Sequence, residues 1–79
     1  MTTLELAAKV RKALKDPPTK IVITNEYVKF VWNFGKAIHQ DYWKQIVSEL
    51  MNVTKTVDEI VVRNDNTLLT ITIYADPLP

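Results

Sequence analysis

Apolar residues fall along this chain in two rhythms. Leu6, Val10, Ala13 and Leu14 recur at helical spacing, as do Ile38, Tyr42, Ile46 and Leu50, with Trp43, Val47 and Met51 flanking them. Residues three and four apart share one face of a helix, so these runs predict helices over 2–15 and 38–52. Four other stretches are rich in β-branched and aromatic residues and predict strands over 19–24, 27–34, 56–63 and 67–75.

Punctuation between the runs agrees. Thr2 and Glu5 stand at capping-box spacing, and Asp16-Pro17-Pro18 stops the first helix because proline lacks the amide proton. Asn25-Glu26 is a plausible hairpin turn, weaker than Asn-Gly; one long bent strand is the alternative. Gly35, the only glycine, marks a backbone position that favours a missing Cβ. Asn52 is expected to help end the second helix. Asn64-Asp65-Asn66 is the strongest hairpin signal.

The order α-β-β-α-β-β predicts an α+β two-layer sandwich. Its sheet is mainly antiparallel and four-stranded, with both helices on one face. The expected organisation is a single domain over 1–79, with 76–79 a loose, proline-bearing tail. The halves resemble each other: Ile21-Val22-Ile23-Thr24-Asn25-Glu26 lines up with Ile60-Val61-Val62-Arg63-Asn64-Asp65.

Alternation along strands sorts side chains between two faces. One face carries Ile21, Ile23, Val28, Phe30, Trp32, Ile60, Val62, Leu69, Ile71 and Ile73, and is expected to meet the helices. The other carries Val22, Thr24, Tyr27, Lys29, Val31, Val61, Arg63, Leu68, Thr70, Thr72 and Tyr74. A free sheet face is usually polar. This one mixes aliphatics, tyrosines and cations, which singles it out as a contact surface. The candidate interaction residues are Val22, Tyr27, Lys29, Val31, Val61, Arg63, Leu68 and Tyr74.

Composition narrows the chemistry. With no cysteine, disulfides and cysteine-ligated metals are excluded, and one histidine, His39, offers little to a transition metal. No cofactor is expected. Residues 1–36 hold seven basic and three acidic residues (+4), and residues 37–79 three basic and six acidic (−3). Attraction between the halves of one fold accounts for this asymmetry. A basic helix surface at Lys9, Arg11, Lys12 and Lys15 is a secondary candidate patch, although a charged helix row is usually its solvated face. No apolar run reaches the roughly 20 residues of a membrane span, and no signal peptide is expected, because no charged segment followed by an apolar run opens the sequence. The expectation is a cytoplasmic, soluble protein. Asn52-Val53-Thr54 matches the glycosylation pattern by chance.

No catalytic grammar stands out. His39 and Asp41 are two apart, which makes a poor dyad on a helix; His39 is expected to be solvated or capping. Asp58, Glu59 and Asp65 lack the spacing of a calcium loop and are expected to protect strand ends from edge-to-edge pairing. Ser48 lacks the glycine-flanked elbow of a nucleophile. Trp32 and Trp43 are expected to pack in the core, with Trp43, like Tyr42, at its rim. The leading expectation is a non-catalytic protein-interaction module that self-associates, as a homodimer, through the free sheet face or a sheet edge, or that binds another protein. A single-stranded nucleic-acid-binding module using the same face is the alternative, disfavoured by near-neutral charge. A small inhibitor of a larger host or phage protein is the third reading.

Overall fold

The computed structural model describes residues 2–74. Its elements are α1 (Thr3–Ala13), β1 (Lys20–Ile23), β2 (Tyr27–Asn33), α2 (Gln40–Thr54), β3 (Glu59–Val62) and β4 (Leu68–Tyr74). The strands form one antiparallel sheet in the order β1-β2-β4-β3. The expected α+β fold is therefore present, with the two hairpins joined through their second strands. The tail at 76–79 lies outside the described residues.

Local chemistry explains the boundaries. Thr2 caps α1 by accepting the Glu5 amide at 3.1 Å, and α1 ends two residues short of the expected Lys15. The second helix starts at Gln40 rather than Ile38, because the Ile38 amide bonds to the Asn66 carbonyl and His39 is the cap. Asn52 does not end it. The helix runs on to Thr54, and Lys55 closes it in the left-handed region (φ 69) with its amide on the Met51 carbonyl. Asn25-Glu26 is a true turn. Thr24 closes it, its hydroxyl accepting the amides of Glu26 and Tyr27, so no positive φ is needed there. In the second hairpin Asn66 takes the left-handed conformation (φ 58). Asp65 accepts both the amide and the hydroxyl of Thr67. Chiefly this hydroxyl bond holds the Asp65 carboxyl below its ordinary range.

Residues opposed in an antiparallel pair share a face. Ile21, Phe30, Ile71 and Ile60 form one row across the sheet, and Trp32, Leu69 and Val62 another. They face Leu6, Ala7, Val10 and Leu14 of the first helical segment and Ile46 and Leu50 of α2. The register carries an approximate two-fold relation between the α-β-β halves, centred on the Phe30–Ile71 pair.

That symmetry fails at the edges. α1 packs on β1 and β2 and against α2, whereas α2 makes no comparably extensive approach to β3. Two residues assigned to the helix-facing core are therefore not covered: Ile23 and Ile60 remain 41% and 42% exposed. Both sit on edge strands, beyond the reach of the helix layer.

Candidate interaction surface

The face opposite the helices is laid out by register. Lys20, Val31, Thr70 and Val61 form one row, and Val22, Lys29, Thr72 and Glu59 the next. Tyr27 and Tyr74 pair at one end. Leu68 lies beside Asn33 at the other, where its carbonyl accepts the Arg63 amide. All eight interaction residues chosen from the sequence thus belong to this side of the sheet. Lys20 and Glu59 belong there too. Alternation within the expected strands 19–24 and 56–63 already puts them on this side, and the observed β1 and β3 begin at these two residues.

The face is less open than its composition implies. Val22, Val31 and Leu68 are half-buried, and Thr72 is buried. Thr70, Thr72 and Lys29 interrupt the aliphatics, so these form no continuous patch. The tyrosine end is self-packed. The rings of Tyr27 and Tyr74 lie 5.6 Å apart, and the Lys29 ammonium stands 5.9 Å from the Tyr27 ring centre. The Asp58 carboxylate accepts the Tyr74 amide at 2.7 Å and secures this corner.

The exposed aliphatic side chains of the sheet are Val61 and Ile60 on β3 and Ile23 on β1. Val61, on the open face, is 51% exposed, and Ile60, on the helix-facing side, is 42% exposed. No strand flanks the outer edge of β3 among the described residues. Edge strands are normally blunted by short length, charged side chains, proline or a bulge; β1 and β3 are both four residues long. β1 carries Lys20 and follows Pro17-Pro18, while the interior of β3 is Ile60 and Val61, with Glu59 and Arg63 at the ends.

The other candidates disperse. Lys9, Arg11, Lys12 and Lys15 are all exposed on or just after α1, away from the tyrosines. His39 accepts the Asp41 amide through Nδ1 at 3.2 Å, a helix cap. A hollow of about 490 Å³ lies beside it, lined by Phe34, Lys36, Ala37, Ile38, His39 and Tyr42. His39 Nδ1 is engaged by the cap and the Tyr42 hydroxyl by a hydrogen bond it donates to the Asp16 carboxylate. No group of three His, Asp or Glu residues that could hold a metal occurs among the described residues. Trp43 packs at the rim of the core with Val47. No helix among the described residues is long and apolar enough to cross a membrane.

The Tyr42–Asp16 contact has a pH signature. That hydrogen bond first, then slight burial and the charges of Asp16 and Glu49, raise the Tyr42 phenol above its ordinary value. The folded state therefore holds this proton more tightly than the unfolded chain. The stabilisation is complete below the unfolded value of about 10 and disappears as pH rises through the higher folded value. Because the ring is 45% exposed, the effect is small. Urea unfolding from neutral pH upward is expected to show a steeper loss of stability above about pH 10 in the parent than in Tyr42→Phe. Parallel pH profiles would remove the contact from the account.

Compared with known proteins, the chain matches no family model, no curated protein and no solved structure.

Proposed function

We propose that this chain is a small non-catalytic protein-interaction module that self-associates through the outer edge of β3. The observation that carries this reading is the exposure of apolar side chains on both sides of one edge strand, Ile60 and Val61. A partner laid on one face would cover one of them. A strand added at the edge flanks both and also satisfies the outward backbone groups. Docking through the centre of the sheet face has less support, because its aliphatics are half-buried and interrupted.

The nucleic-acid reading also has less support. A stacking platform needs a free ring face, and Tyr27 already lies against Tyr74 and Lys29. Arg63 is at the opposite end of the sheet, roughly 20 Å along the strands from Tyr74 at about 3.3 Å per residue.

Sedimentation over a concentration series tests self-association. The parent is expected to pass from monomer to dimer as concentration rises. Val61→Lys places the usual edge-blocking residue on β3 and is expected to raise the dimer dissociation constant about tenfold or more. Val61 is 51% exposed, so the variant should fold, as circular dichroism would verify. A parent that stays monomeric throughout refutes the proposal.

A further inference from the structure

We infer that β3 pairs antiparallel with β3 of a second copy, about a two-fold axis at Val61, and that Glu59 and Arg63 set this register. The inference rests on the self-association proposed above and specifies its geometry.

Three independent features converge on one register. The first is the backbone. The Arg63 amide donates to the Leu68 carbonyl, so Arg63 directs its hydrogen-bonding groups toward β4. Backbone direction alternates along a strand. Glu59 and Val61 then also face β4, and Ile60 and Val62 present their N–H and C=O groups outward. An antiparallel neighbour must therefore join Ile60 and Val62 to its own outward residues.

The second feature is the apolar pattern. A two-fold axis normal to the sheet preserves faces, so opposed residues must come from the same side. Centring it on Val61 places Ile60 opposite the partner's Val62, and Val61 opposite the partner's Val61. Both exposed residues of β3 then gain an aliphatic neighbour, about four backbone hydrogen bonds form, and the four-stranded sheet continues into its copy.

Charge is the third feature. The same register places Glu59 opposite the partner's Arg63, once on each side of the axis. Glu59-Ile60-Val61-Val62-Arg63 is thus self-complementary when read against itself in reverse. The β1 edge is not. Self-pairing about Val22 would oppose Lys20 to a threonine. Pairing β1 with β3, with Val22 set against the partner's Val61, would oppose Lys20 to the partner's Arg63. Like charges directly opposed are destabilising, which disfavours that register of the head-to-tail contact.

Charge reversal with rescue tests the register. Glu59→Arg and Arg63→Glu, each alone, convert both cross-axis pairs from attractive to repulsive, and each is expected to raise the dimer dissociation constant about tenfold. The double variant restores both pairs and should return to within about threefold of the parent. An equimolar mixture of the two single variants should form a heterodimer, because each supplies what the other lacks. Native mass spectrometry of one isotopically labelled variant with the other reads this directly. Both positions are exposed, and circular dichroism verifies folding. A parent dimer indifferent to both reversals, or no recovery in the double variant and the mixture, overturns this register while leaving self-association standing. A parent that is monomeric at every concentration overturns both.

Discussion

Phe30→Ala is expected to remove roughly half of the stability of this protein. Phe30 is fully buried, in the row between Ile21 and Ile71. Its ring lies 6.3 Å from that of Trp32. Truncating a buried phenylalanine costs about 3–5 kcal/mol, in lost transfer energy and in the cavity left behind. A chain of 79 residues has only about 4–12 kcal/mol in total. No disulfide is available to offset the loss, since the chain has no cysteine. Urea unfolding followed by circular dichroism should show a much lower midpoint with an unchanged slope. A loss below about 1 kcal/mol would mean that the helices do not close over this position.

The second large effect belongs to Trp32, and there packing separates from hydrogen bonding. The side chain is 1% exposed, and its Nε1 donates to the Asp16 carbonyl at 2.9 Å. It thereby ties the link between α1 and β1 to a central strand. Trp32→Ala loses both contributions and is expected to cost about 3–5 kcal/mol. Trp32→Phe keeps much of the apolar volume and is expected to cost about 1–2 kcal/mol, mostly for the Asp16 carbonyl left without its donor. Trp43 remains as a fluorescent reporter in both variants. Equal losses in the two would show that the Asp16 bond outweighs the packing of the ring.

The candidate surface was partly legible in the residues. Two-residue alternation assigned Val22, Tyr27, Lys29, Val31, Val61 and Tyr74 to one side of the sheet, and the register keeps them there. Exposure was not legible. Val31 and Val61 are the same residue type on the same face, in the same row across the sheet. Val31 is half-buried because its strand has neighbours on both sides, and Val61 is 51% exposed because β3 is an edge. Likewise, nothing in the spacing of Glu59 and Arg63 distinguishes them from ordinary strand-end charges until β3 is known to lie outermost.

By itself the sequence determined the elements, the two faces of the sheet and most of the core. These follow from short-range causes: 3.6- and two-residue periodicity, the Thr2 cap, the Pro17-Pro18 stop and the Asn64-Asp65-Asn66 hairpin signal. The Asn25-Glu26 turn, by contrast, stays open against one bent strand in the sequence and is decided by the Thr24 hydroxyl contacts. Tertiary packing adds that β2 and β4 pair at the centre, that α1 lies on β1 while leaving Ile23 exposed, and that Ile60 and Val61 are uncovered on β3. Strand order and helix placement depend on which apolar surfaces, far apart in the chain, bury one another most completely, and no local pattern records that outcome.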